Sequence, residues 1–163
     1  MLFRSWRGYG LTQWSGADCY WFADYLGDLD QLLDRIEPQV PALVVGHSLG
    51  GNASMLYAGV RPQRVSKLVN LEGFGMGRTE AEQAPKRYER WFEELREAPT
   101  LRPYAGFAEL ADRLQGNNAR LTRERAEFLA RQWGKEIDGG KVVLRSDPAH
   151  KLVNANQIGR AHV

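Results

Sequence analysis

The sequence predicts an α/β fold, a parallel sheet flanked by helices and interrupted by an inserted helical segment. Three observations carry this. Residues 21–71 read in the order helix, strand, turn, helix, strand. The two strands are continuous apolar runs, as expected of parallel strands buried on both faces. From residue 78 to 133 the character changes to charged, aromatic-rich helices with no strand between them.

The elements follow in order. Arg7-Gly8-Tyr9-Gly10 is glycine punctuation and reads as a loop. Over 21–36, Phe22, Tyr25, Leu26, Leu29, Leu32, Leu33 and Ile36 recur at helical spacing, with Asp24, Asp28, Asp30 and Asp34 on the wet face. Pro38 and Pro41 end that helix. Ala42-Leu43-Val44-Val45, bounded by proline and glycine, predicts a buried strand. Gly46 to Gly51 reads as a turn, and 52–59 as a closely packing helix of small residues stopped before Pro62. Residues 65–71 predict a second buried strand. Helices are then expected at 86–97, 107–114 and 122–133, a turn at Asp138-Gly139-Gly140, and a short strand at Val142-Val143-Leu144. Two or three parallel strands leave bare sheet edges, which predicts that further strands belong to the fold.

Bulk properties narrow the function classes. The chain of 163 residues suits one domain, and 43% hydrophobic and 26% charged residues suit a globular protein. A net charge of +2, with arginines scattered, implies no nucleic-acid partner. The single cysteine, Cys19, excludes an internal disulfide framework. No run has signal-peptide character or approaches the ~20 apolar residues of a membrane span. These readings predict a cytoplasmic protein.

Gly46-His47-Ser48-Leu49-Gly50-Gly51 contains G-x-S-x-G directly after a predicted strand and at the opening of a helix. That is the context of a nucleophile elbow, a sharp strained turn in which glycines avoid clashes between strand and helix. Ser48 would sit at a helix N-terminus, where the dipole favours a developing anion. The backbone N–H of Leu49 could supply one oxyanion donor.

With its preceding Leu-Val-Val, this stretch resembles the elbow of the α/β-hydrolase superfamily. Trp6-Arg7-Gly8-Tyr9-Gly10-Leu11-Thr12 is similar to the family's loop after its fourth strand, with Ser5 where the family usually has Asp. Arg61-Pro62-Gln63-Arg64-Val65 is similar to the link from the elbow helix to the sixth strand. The resemblance implies an incomplete α/β-hydrolase fold. Residues 1–77 would form the core, 78–135 a helical cap and 136–157 the return toward the core. It also implies that the first strands, with the second oxyanion donor, and the last two strands, with the histidine, lie outside this chain.

A triad serine needs a base, and the base an orienting carboxylate. His47 adjoins Ser48, so its side chain points elsewhere; it reads as part of the elbow. His150, in Asp147-Pro148-Ala149-His150-Lys151, lies too close to Asp147 for acid and base to come from separate strand ends, and reads as structural. Glu72 ends the second strand, at the carboxyl edge where ligand sites collect in open α/β sheets. Branches of the superfamily such as the haloalkane dehalogenases carry their acid at that position. Two readings stand for Glu72: the triad acid, or a solvated loop carboxylate pairing with Arg78. If it is the latter, the acid follows the absent seventh strand.

The predicted function is an esterase-like serine hydrolase acting through acyl-Ser48 on a small, apolar acyl substrate, inactive in this form. Ser48 in place of a carboxylate argues against the dehalogenase and epoxide-hydrolase branches. No Cys/His cluster has metal-ligand spacing, and no cofactor is implied. The alternatives are a non-catalytic binding protein of the same fold, or C–C hydrolysis or perhydrolysis on the same scaffold. Ile158-Gly159-Arg160-Ala161-His162-Val163 follows no helix or strand pattern and resembles a translated sequencing adapter. It is expected to be foreign to the protein.

Overall fold

A computed structural model describes residues 5–16, 20–75, 77, 80–97 and 99–152. The expected foreign tail at 158–163 lies outside the described residues, as do Cys19 and Arg78. The described residues form two compact units, one within 20–96 with Leu152 and the other within 5–16 and 97–151.

The first unit contains α1 (Phe22–Ile36), β1 (Ala42–His47), α2 (Leu49–Val60), β2 (Val65–Leu71) and α3 (Ala84–Arg96). Trp21 is extended, and its N–H donates to the Asp24 carboxylate at 3.2 Å, so an acidic side chain in the first turn caps the start of α1. The apolar stripe of α1 buries Tyr25 and Leu29. Helix α2 packs on α1 and on both strands, and it can do so closely because small residues, Gly51, Ala53 and Ser54, are among its buried positions.

Strands β1 and β2 pair in parallel, with Val44 opposite Leu68, Gly46 opposite Asn70 and His47 opposite Leu71. Along β1 the half-buried Ala42 and Val44 and the buried Gly46 alternate with exposed Leu43, Val45 and His47. Only one face of this two-stranded sheet is covered among the described residues, although continuous apolar strands predict burial on both. Leu43, Val45, Val69 and Leu71 are all exposed.

The expected turn at 46–51 is shorter than the glycines suggested. Strand β1 runs on through Gly46 and His47, and α2 already begins at Leu49, leaving Ser48 alone between them. The glycines here permit close approach of backbones rather than forming a loop. A Cβ on Gly46 would lie against the carbonyl oxygen of Gly50, 2.7 Å from its carbonyl carbon and 2.8 Å from Gly51 Cα.

The other unit holds α4 (Phe107–Asn117), α5 (Arg123–Trp133), β3 (Gly134–Ile137) and β4 (Lys141–Leu144). Its core gathers Tyr104, Leu110, Ala111, Ala126, Ala130 and Val142. The predicted strand at 142–144 is not a third parallel strand. It pairs antiparallel with β3, which the sequence reading did not foresee. The three-residue connection through Gly139 and Gly140, at φ 76° and 71°, returns the chain as a hairpin, and a parallel crossover needs far more residues. The Arg7–Gly10 loop docks on the segment after β4: Gly10 N–H donates to the Arg145 carbonyl and Asp147 N–H to the Gly8 carbonyl, each at 2.8 Å. Among the described residues no helix is long and apolar enough to cross a membrane.

Candidate active site

Ser48 occupies the single-residue junction between β1 and α2 with φ 53° and ψ −118°. A non-glycine residue in this region is strained by on the order of 1–3 kcal/mol and persists only where its surroundings enforce it. Two backbone bonds do so here. Ser48 N–H donates to the Leu71 carbonyl at the end of β2 at 2.8 Å, and its own carbonyl accepts the first α2 bond, from Asn52 N–H at 3.0 Å. The Leu49, Gly50 and Gly51 N–H groups precede that first bond, so they project from the helix end without intrahelical partners. Ser48 is exposed. An exposed hydroxyl beside a cluster of N–H donors and the positive end of a twelve-residue helix can attack an electrophile and stabilise the anion that forms.

Glu72 is the first residue beyond β2 and also has a positive φ, 59°. Its carboxylate lies 3.5 Å from His47 Nε2. The strand register explains the meeting, since His47 is paired with Leu71, the residue before Glu72. Both side chains are largely exposed, 70% and 73%, so water screens the pair. The parallel sheet thus brings Ser48, His47 and Glu72 to one strand edge.

Other side chains hold this edge that the sequence reading did not single out. The Asn70 amide embraces the Gly73 peptide: Gly73 N–H donates to Asn70 Oδ1 at 2.8 Å, and Asn70 Nδ2 donates to the Gly73 carbonyl at 2.7 Å. Asn52, in the first turn of α2, accepts from Gly75 N–H at 2.8 Å. The loop lies so close to α2 that a Cβ on Gly73 would come within 2.7 Å of Gly51 C and 2.8 Å of Asn52 N. The Asn70-Leu71-Glu72-Gly73 spacing was the available local signal, since asparagine side chains commonly bond nearby backbone. Asn52 has no such signal.

His150 belongs to the other unit. Its ring stacks on Tyr9 with centroids 3.9 Å apart, and its backbone N–H donates to the Asp147 carbonyl at 3.1 Å. Burial lowers its pKa below the usual 6.5, against the opposing pull of Asp147 and of the Gly8 and Arg7 carbonyls. An open groove of about 790 Å³ runs along α3 past Tyr88 and Phe92, but neither Ser48 nor Glu72 lines it. Among the described residues no group of three or more His, Cys, Asp or Glu could hold a metal ion.

The alpha/beta hydrolase fold family matches residues 5–134, and the chain belongs to that family. It is similar to a serine hydrolase-like protein of the zebrafish Danio rerio, 25% identical over 149 residues that cover 85% of this chain and 44% of that protein. Among solved structures it is similar to a hypothetical protein of Pseudomonas aeruginosa, with TM-score 0.83, 24% identity and coverage of 96% of this chain and 56% of that one. It is also similar to the thioesterase domain from the curacin biosynthetic pathway, with TM-score 0.75, 22% identity and coverage of 93% and 54%. These two likenesses concern the fold. The chain spans less than half the length of the zebrafish relative and a little over half of each solved structure.

Proposed function

We propose that this chain carries the nucleophile portion of a serine hydrolase that cleaves esters or thioesters through an acyl-Ser48 intermediate. The observation that carries the reading is the strained φ 53°, ψ −118° of Ser48 at the junction of β1 and α2. Strain of this kind clusters at functional sites. In this reading Ser48 Oγ attacks the acyl carbonyl and its proton passes to a histidine. The Leu49 N–H and the N-terminus of α2 receive the oxyanion. The histidine then protonates the leaving alcohol or thiol, and water repeats the sequence to release the acid. Glu72, held at the same strand edge, is assigned to orient that histidine.

The histidine is assigned to the part of the fold that relatives carry beyond the region this chain matches. His47 faces Glu72, and His150 is engaged with Tyr9 in the other unit. The 163-residue chain alone is accordingly expected to lack turnover. Residues 78–135 are assigned as the helical cap, and their aromatic side chains suit an apolar acyl group. No cofactor enters the reaction.

The test is hydrolysis of a short-chain p-nitrophenyl ester by the natural polypeptide that contains this chain. Turnover is expected for the native sequence and none above background for Ser48→Ala. Undiminished turnover in Ser48→Ala would falsify the nucleophile assignment.

A further inference from the structure

We propose that Asn70 is a positioning residue for the Glu72 carboxylate, with Asn52 as its second anchor. Glu72 needs such a device. It follows the last residue of β2, so the strand ladder no longer holds it, and its φ of 59° is disfavoured for a residue with a side chain. Left to itself, the segment after β2 would relax, and the carboxylate would move with it.

Two asparagines prevent this, one on β2 and one on α2. Asn70 is in register with Gly46 of β1, on the sheet face that α2 covers. Its amide accepts from Gly73 N–H and donates to the Gly73 carbonyl, so both polar groups of that residue are held and Glu72 is confined in the arch between. Asn70 Nδ2 also approaches Met55 Sδ of α2 at 3.7 Å. Asn52 sits four residues after Ser48, and its N–H makes the α2 bond to the Ser48 carbonyl. Its side-chain oxygen takes the Gly75 N–H. One side chain therefore ties the helix that begins at the serine to the loop that carries the acid. The close contact of Gly73 with the Gly51 and Asn52 backbone leaves little room for slippage. A neutral amide suits Asn70 because it must donate and accept at once, which neither Asp nor Leu can do.

This inference rests on the reading of Glu72 as the triad acid, and the experiment separates the two. The natural polypeptide containing this chain is assayed for ester hydrolysis as a double-mutant cycle of Asn70→Ala and Glu72→Gln. Asn70→Ala is expected to lower kcat by about 10–100-fold, the scale of a misplaced catalytic geometry, with KM within about threefold. The acidic limb of its pH profile should move to lower pH, as in Glu72→Gln, because the imidazolium loses its carboxylate neighbour. Asn70→Asp retains the acceptor for Gly73 N–H and should restore part of kcat. In the Glu72→Gln background Asn70→Ala should cost nothing further. An Asn70→Ala protein with wild-type kcat and acidic limb overturns the proposal, as does one whose loss is as large in the Glu72→Gln background. If Asn70→Ala does not fold, Asn52→Ala, which removes only the Gly75 bond, enters the same cycle with the same criteria. Wild-type kcat in Glu72→Gln would instead remove the acid assignment itself.

Discussion

At the scale of single residues, two positive-φ positions define the candidate site, Ser48 at 53° and Glu72 at 59°. Both sit where a parallel strand ends, and both are exposed. Their roles are separable by substitution. If Glu72 orients the imidazole, Glu72→Gln keeps the shape but loses the charge that selects the tautomer and stabilises the imidazolium. The expected fall in kcat is then on the order of 10³–10⁴, a barrier increase of ~4–5.5 kcal/mol. Steady-state kinetics on the natural polypeptide measures it, and a change of only a few-fold would return the acid to another strand. Of this site, Ser48 was legible because G-x-S-x-G after an apolar run is a local pattern with a local cause. Glu72 was legible as the residue at a strand's carboxyl end. The link from Asn52 to Gly75 was not, since a side-chain bond across 23 residues leaves no periodic mark.

At the scale of elements, helix pairing and loop docking give two further expectations. Tyr57 of α2 is buried, 2% exposed, and donates its hydroxyl to Asp30 Oδ1 of α1 at 2.7 Å. Tyr57→Phe leaves the ring in place and removes that bond. Bonds to charged groups contribute ~1.5–3 kcal/mol, and the low end is expected because Asp30 is only half-buried and also pairs with Arg61 at 3.5 Å. Chemical denaturation at neutral pH reads the difference, and an unchanged midpoint contradicts it. In the other unit, burial lowers the pKa of His150 below 6.5. Since the folded state binds this proton less tightly than the unfolded chain, the stabilisation is present above pH 6.5. It is lost as pH falls through the lowered folded pKa. His150→Phe preserves the stacking on Tyr9 and should flatten that acid-side decline. Melting curves from pH 7.5 to 5 check this, and equal slopes for the two proteins would contradict it. Most elements were readable from periodicity, α1 most clearly, because Tyr25 and Leu29 recur on its buried stripe. Strand β3 was not, because Gly134-Lys135-Glu136-Ile137 has too little apolar pattern and takes its conformation from pairing with β4.

At the scale of the whole molecule, the apolar runs of β1 and β2 predicted a sheet buried on both faces, yet one face carries Leu43 at 74% and Val45 at 67% exposure. The same sheet belongs to a family fold of which this chain matches a little over half in the solved structures. The continuous apolar runs fit burial on both faces, of which the described residues cover one. The candidate site is local by comparison: the elbow, the post-β2 loop and the two asparagines that join them all lie within one compact unit. The proposed role of Ser48 as nucleophile is open to covalent capture. The natural polypeptide containing this chain is treated with a fluorophosphonate, digested and sequenced by tandem mass spectrometry. One adduct is expected, on Ser48 and not on the buried Ser54 of the same peptide, and none in Ser48→Ala. An adduct on another residue, or labelling that persists in Ser48→Ala, would contradict it.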